Sequence, residues 1–220
     1  MYGCCQAAYR HGEWRVRAER QRARQREIEA AAYAVLAEKG YKATSMLAVA
    51  KRASASNETL YRWYGSKQAL FAALVKANAR AVREQLDRSL EHDGDALGAL
   101  GQIGPLLVQL VAGDRAVALN RAAVGDVDET ATLGATIAES GRAAVVPLLQ
   151  KLMQKAIDAR QLVETDAAEA AETYIRLLIG DLQIRRAIGV LPAPSAKEAQ
   201  ERAEAALRLF VRLFGRPQSP

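Results

Sequence analysis

Residues 44–67, TSMLAVAKRASASNETLYRWYGSK, carry two short helical patterns separated by a break of small residues at Ala53, Ser54 and Ala55. The second pattern presents polar tips at Asn57, Glu58 and Thr59, followed by Tyr61 and Arg62, with Lys67 about one turn beyond. Two helices joined by a three- or four-residue turn form the unit whose second helix can enter a DNA major groove. Everything else in the chain is expected to hold two copies of this unit at a fixed distance, or to sense something that changes that distance.

The surrounding sequence favours helix. Half of the 220 residues are hydrophobic, yet aromatics supply only 5%. Ala/Leu/Glu/Arg/Gln stretches dominate, and alternating β-branched runs are scarce. The expected fold class is therefore all-α, with a basic extension over residues 1–23, a three-helix helix-turn-helix head over 24–71 and a larger helical body over 72–220.

Charge supports that division. Residues 1–67 hold 13 Lys/Arg against 6 Asp/Glu, whereas residues 68–220 hold 18 against 19. A basic head on a near-neutral body suits a polyanion contacted by the head alone. Residues 1–22, with Arg10, Arg15, Arg17, Arg20 and Arg22, leave two readings open: a disordered or frayed helical extension, or an arm that follows DNA phosphates or enters the minor groove. Cys4 and Cys5 are adjacent and make no disulfide framework or zinc site, so they are expected to be free thiols or, alternatively, redox-active. The sequence contains neither an apolar run of ~18 residues nor a signal-peptide core, which implies no membrane partner and a reducing cytoplasm.

In chain order, a first helix is expected over residues 24–39, with Ile28, Ala32, Val35 and Leu36 on its apolar face and Gly40 as its stop. Thr44 or Ser45 caps a second helix that buries Met46, Val49 and Ala50. Ser56 caps a third that buries Leu60 and Tyr64 and ends at Gly65. A long fourth helix begins at Ser66 with the stripe Leu70, Leu74, Ala77 and Ala81, and is a candidate lever between head and body.

Further helices are expected over 95–111, kinked near Pro105, over 114–124, and over 130–159 with an interruption near Gly141 or Pro147. Gly98, Gly101 and Gly104 lack the preceding strand and following Gly-Lys-Ser/Thr of a phosphate loop, and so are read as close helix contacts or a flexible turn. Asp166 and Glu169 open a helix to about Gly189, and Ser195 with Glu198 forms a capping box for the last one. Tyr174, Leu178, Leu207, Phe210 and Phe214 lie on apolar faces of these two helices. They are candidates for a four-helix dimer interface.

DNA recognition requires phosphate clamps for position and side chains that reach base edges for sequence. Thr44 at a helix N-terminus, Tyr61 and Lys67 suit the clamp, while Ser56, Asn57, Glu58, Thr59 and Arg62 lie at or near the reading face. Glu58 either accepts from a cytosine amino group or is neutralised by Arg62 four residues on.

Residues 56–70, SNETLYRWYGSKQAL, resemble the S-x-x-T-L-Y-x-x-F-x-S-K-x-x-L motif of TetR-family repressors. Residues 44–53 resemble that family's second helix and 28–40 its first, so the match covers about residues 24–71, and the body is similar to the AefR/AcrR-like subgroup. Ser54 stands where the family usually has Gly, Ala55 where it has a larger aliphatic, Leu47 and Ala48 where polar residues are usual, and Glu58 where a small residue is common.

The resemblance implies a homodimeric transcriptional repressor on a double-stranded, palindromic DNA operator. It would be released when a small apolar inducer enters the helical body, which would then serve ligand binding and dimerisation. Gln109, Asn120, Met153, Tyr174 and Gln183 are the candidate pocket residues. The alternative is a protein of the same fold controlled by a protein partner, or organising DNA, without a small ligand. No enzyme, cofactor or metal is expected: the only histidines are His11 and His92, and no catalytic or phosphate-loop motif occurs.

Overall fold

A computed structural model describes the backbone of residues 4–91 and 94–216, with side chains described from residue 19 onward. The thiols of Cys4 and Cys5, the arginines at positions 10, 15 and 17, and both histidines lie outside the described side chains. Among the described residues the ordered structure is helical, with one isolated bridge between Leu162 and Gly215. The chain divides into two units, Met1–Lys67 and Gln68–Pro220, a boundary slightly before the expected residue 71.

In the first unit, α1 (Cys4–Ala43) is already helical at Cys4. The segment expected as a separate extension thus continues the first helix, in keeping with the helix propensity of its Ala, Arg, Gln and Glu residues. Gly40 breaks it at φ 71° and ψ 175°, a backbone conformation that a side chain would strain. The helices α2 (Met46–Arg52) and α3 (Asn57–Tyr64) follow. Ile28, Ala32, Val35, Leu36, Tyr41, Met46, Val49, Ala50 and Leu60 form the buried interior of this head.

The second unit is entered along α4 (Lys67–Glu91), whose first residue still belongs to the head. Its buried stripe is Leu70, Phe71, Leu74, Val75, Ala79, Val82 and Leu86. Ala81, expected on that stripe, is exposed; spacing by fours had followed the wrong edge, and Phe71, Val75 and Val82 take its place.

Helices α5 (Ala96–Ala112) and α6 (Asp114–Gly125) come next. The helix expected over 130–159, with an interruption near Gly141 or Pro147, divides at the first of these into α7 (Thr132–Ile137), a π-helical turn (Ala138–Arg142) and α8 (Ala143–Asp158), which runs on through Pro147. The buried Asp126 carboxylate caps α7 from a distance, accepting from the backbone N–H of Thr132 at 3.0 Å and of Leu133 at 3.2 Å. The helix expected over 166–189 also divides. α9 (Ala167–Ile179) stops at Gly180, which adopts φ 51° and ψ −128°, and α10 (Leu182–Ala187) restarts beyond it. The chain closes with α11 (Ala196–Phe214), which begins with the Ser195–Glu198 capping box. Those serine hydrogen bonds hold the Glu198 carboxyl below the usual range.

The core of the body lies where α5, α9 and α11 meet. The Tyr174 hydroxyl donates to the Leu100 carbonyl at 3.0 Å, and its ring meets Phe210 edge-on at 5.4 Å. Burial pushes the Tyr174 phenol well above its ordinary pKa. On the other side of the unit, the buried Arg186 donates to the carbonyls of Ala112 and Leu191 and to Asp114 Oδ1, at 2.9, 2.7 and 2.6 Å. It thereby ties α10 to the α5–α6 corner. No single helix among the described residues is long and apolar enough to cross a membrane. The bent pair of α5 and α6 reaches that length only in combination, with its apolar residues contributing to the interior.

Candidate nucleic-acid interface and effector cavity

The reading helix is set up by two caps and a turn. Ser45, in extended conformation, is the N-cap of α2 and accepts from Ala48 N–H at 3.1 Å. Ser56 does the same for α3, accepting from Thr59 N–H at 3.0 Å, and the two hydroxyls of Ser56 and Thr59 pair at 2.8 Å. Between the helices Ser54 adopts φ 49°, the left-handed conformation for which glycine would be the unstrained choice. Arg24 reaches across from α1 and donates to the Ser54 carbonyl at 2.7 Å.

These contacts sort the expected DNA-binding residues into three groups. Asn57, Glu58, Tyr61 and Arg62 are exposed on α3, and no ion pair joins Glu58 to Arg62 among the described residues. Ser56 and Thr59 are occupied in capping. Thr44 and Lys67 depart from the expectation. Thr44 is 2% exposed and its hydroxyl donates to the Gly40 carbonyl at 2.7 Å, because it closes the break after α1 rather than capping α2. The exposed cap is its neighbour Ser45. Lys67 Nζ donates to the carbonyls of Tyr41 and Lys42 and sits 3.9 Å from the centroid of the Tyr41 ring. It pins the C-terminal end of α1, where unsatisfied carbonyls attract a cation. The exposed Leu47 and Lys51 on α2 and the Arg24 strut were not among the expected residues. The exposed flank of α2 was legible in its helical period, whereas the strut joins positions thirty apart and left no local signal.

Behind the reading face, Tyr64 carries a buried hydroxyl with no hydrogen-bond partner. Burial, with a smaller contribution from the Glu29 carboxylate, pushes its pKa up to about 12.

The second unit contains a cavity of about 370 Å³. Its walls come from α4, α5, α6, α7, the π-helical turn, α8, α9 and α10, and most are aliphatic, including Val75, Leu107, Leu119, Ile137, Val145 and Ile175. The polar side chains on it are Asn78, Asn120, Gln183 and Arg142, the last paired with Glu172. Of the expected pocket residues, Asn120 and Gln183 line this space. Gln109 is exposed elsewhere, and Met153 and Tyr174 are fully buried in the packed interior, where an amphipathic helix puts its large apolar side chains. Among the described residues no group of acids, histidines and cysteines could hold a metal ion.

The expected dimer residues divide in the same way. Tyr174, Leu178 and Phe210 are fully buried within one chain, and Leu207 and Phe214 pack partly against the same core. The buried part of that face of α9 and α11 is covered within the chain by α5, while Leu207 and Phe214 keep partial exposure. The exposed apolar residues of this region include Leu209, Val211 and Leu213 on α11, with Ile184 on α10 and Ile188 and Val190 just beyond it.

Residues 98–216 match the C-terminal domain of AefR-like transcriptional repressors, and residues 28–74 match the tetR family of bacterial regulatory proteins. The chain belongs to the TetR family of transcriptional regulators. The TetR chain is 27% identical over 195 residues to the transcriptional repressor KstR of Mycolicibacterium smegmatis, which covers 88% of this chain and 89% of that one. The crystal structure of a TetR-family regulator from Mesorhizobium loti superposes with a TM-score of 0.71 at 24% identity, covering 90% of this chain and 99% of that one. The flavonoid-responsive regulator FrrA superposes with a TM-score of 0.64 at 27% identity, with coverages of 90% and 99%. Members of this family regulate transcription and are not enzymes.

Proposed function

We propose that this TetR-family regulator is a homodimeric repressor that binds a palindromic operator through α3 and releases it when a small molecule fills the cavity of the body. The observation that carries the ligand-responsive part is the apolar cavity itself, at the lower end of the ~300–1,000 Å³ range of small-molecule sites. A solidly packed body would have favoured control by a protein partner instead. The similarity to FrrA, a flavonoid-responsive regulator, supports the same reading.

In the DNA-bound dimer, α3 lies in the major groove with Asn57, Glu58 and Arg62 towards the bases. Asn suits adenine, Arg guanine, and Glu the cytosine amino group. Tyr61 and Ser45 contact phosphate from either side. Two-fold pairing uses the exposed pair Leu209 and Leu213, one turn apart on α11, with Ile184 and Ile188, since a symmetric site is read by a symmetric protein. The cavity and the head share one helix: Lys67 begins α4 and Val75, Asn78 and Ala79 on it line the cavity. Ligand shifts the equilibrium only to the extent that it binds the DNA-incompetent state better.

The test is selection of sequences from a random double-stranded library with the purified full chain, followed by binding measured over a salt series. An enriched inverted repeat is expected. Tyr61→Ala then weakens every sequence and lowers the salt slope, and Arg62→Ala relaxes preference at one position of each half-site by about 1–3 kcal/mol. Enrichment of no motif, or of an asymmetric one by a monomeric protein, would overturn the reading.

A further inference from the structure

The cavity's polar groups restrict what can occupy it, and the inference here rests on the proposed ligand-released repressor. The Asn120 amide donates to the Ala116 carbonyl at 2.8 Å, and the Asn78 amide donates to the Leu110 carbonyl at 3.4 Å. Because a carbonyl can only accept, both amides must turn their nitrogens to the backbone. Each keeps its own carbonyl oxygen as an acceptor and one further N–H as a donor. Gln183, the third amide on the lining, adds another of each.

Charge is nearly absent from this surface. Among the described residues no carboxylate lines the cavity, so a ligand ammonium would be desolvated without a counter-ion. Arg142 is the one cation on the lining among the described residues, and it is held by Glu172. A ligand carboxylate would have to compete with that pair or be buried unpaired. A polyanionic head such as a phosphate cluster meets the same objection more strongly. The groups left to satisfy are neutral amides in an aliphatic wall. A hydroxyl serves them best because it donates and accepts through one atom.

We propose that the cavity binds an uncharged, largely apolar molecule bearing a hydroxyl, with Asn120, Asn78 and Gln183 meeting the hydroxyl and the aliphatic walls holding the hydrocarbon frame. The π-helical turn belongs to the site: Ala138, Gly141 and Arg142 all line it. A Cβ at Gly141 would come within 3.1 Å of Val75 Cγ1, so a side chain there would crowd the opposite wall. Gly134, by contrast, has nothing within 4 Å of the place a Cβ would occupy, and it can be enlarged without collision at that atom.

The experiment uses four probes on one ring system: 4-phenylphenol, biphenyl, biphenyl-4-carboxylate and 4-phenylbenzylammonium. Binding to the full chain is measured by titration calorimetry, and operator release is followed in parallel by fluorescence anisotropy. 4-Phenylphenol is expected to bind about tenfold more tightly than biphenyl, the worth of one net hydrogen bond, and both ions more weakly than either. Asn120→Leu should erase the advantage of the phenol while leaving biphenyl binding in place. Gly134→Phe should abolish binding of all four while the melting temperature is kept.

Equal affinity of phenol and biphenyl, tightest binding by either ion, absence of binding by all four, or undiminished binding to Gly134→Phe would overturn the assignment. Phenol binding without operator release would leave the ligand class standing and sink the repressor reading. Release by the carboxylate alone would do the reverse.

Discussion

Arg24 donates from its guanidinium to the Ser54 carbonyl oxygen at 2.7 Å, so the first helix of the head holds the turn that aims the third. Ser54 sits there at φ 49°, where a Cβ costs ~1–2 kcal/mol. Ser54→Gly is expected to stabilise the head by about 0.5–1 kcal/mol, and Arg24→Ala to destabilise it by about 1 kcal/mol. Both tryptophans, Trp14 and Trp63, belong to the first unit, so a urea titration followed by tryptophan fluorescence, excited where tyrosine does not absorb, reports this unit. An unchanged midpoint for both variants would mean that the turn is neither strained nor braced.

Lys67 has a structural duty that its motif position conceals. Its ammonium meets two carbonyls and the Tyr41 ring at the end of α1. Hydrogen bonds to a charged group are worth ~1.5–3 kcal/mol, so Lys67→Ala should lower head stability by an amount in that range as well as weaken DNA binding. Tyr61→Ala, at a half-exposed residue, should weaken binding while moving the fluorescence midpoint by less than ~0.5 kcal/mol. Loss of DNA affinity by Lys67→Ala with an unchanged midpoint would assign Lys67 to phosphate alone.

Tyr64 makes the head sensitive to alkaline pH. Burial keeps its phenol protonated to about pH 12 in the folded head, against ~10 for an ordinary tyrosine. Below pH ~10 folded and unfolded states both hold the proton and this contribution to stability is complete. Between ~10 and about 12 the unfolded chain loses its proton first, so stability falls as pH rises. Tyr64→Phe removes both this pH dependence and a buried hydroxyl without a partner, and should stabilise the head by ~1 kcal/mol at pH 8. The gap in urea midpoint between the variant and the parent chain is expected to widen from pH 8 to pH 11. A constant gap would show that the phenol titrates normally.

What the sequence disclosed follows from the range over which each interaction acts. Caps and helix stops depend on residues three or four apart, and Ser56, Gly65 and the Ser195–Glu198 box were all legible. Ser54 stands where the resembled family usually has Gly, and its left-handed backbone is the physical reason for that preference. Thr44 and Ser45 are adjacent and both good caps, so composition could not say which faces outward; the hydrogen bond from Thr44 to Gly40 decides it. The break at Gly180 was blurred because the apolar period continues across it, whereas Gly141 itself marked the interruption that the π-helical turn makes. Tyr174 and Phe210 looked equally suited to a partner or to a core, since amphipathicity marks a buried face without saying what buries it. Pocket residues were the least legible, since a cavity is defined by several distant helices at once.

Gly104 shows how tightly that core is closed. A Cβ on it would lie 2.7 Å from the Tyr174 hydroxyl and 2.8 Å from Ala203 Cβ, both closer than such contacts tolerate. The hydroxyl cannot simply swing away, because it donates to the Leu100 carbonyl and its ring packs against Phe210. Gly104→Ala gains helix propensity of ~1 kcal/mol at this mid-helix site, but must push α11 outward or break the Tyr174 hydrogen bond. Overpacking of this kind costs ~1–3 kcal/mol, so the net expectation is a destabilised body. Gly104→Ala combined with Tyr174→Phe removes the colliding oxygen and should recover part of the loss. Far-ultraviolet circular dichroism through a thermal melt measures both. A more stable Gly104→Ala protein would show that α5 and α11 are less closely fitted at this crossing than the Ala203 contact requires.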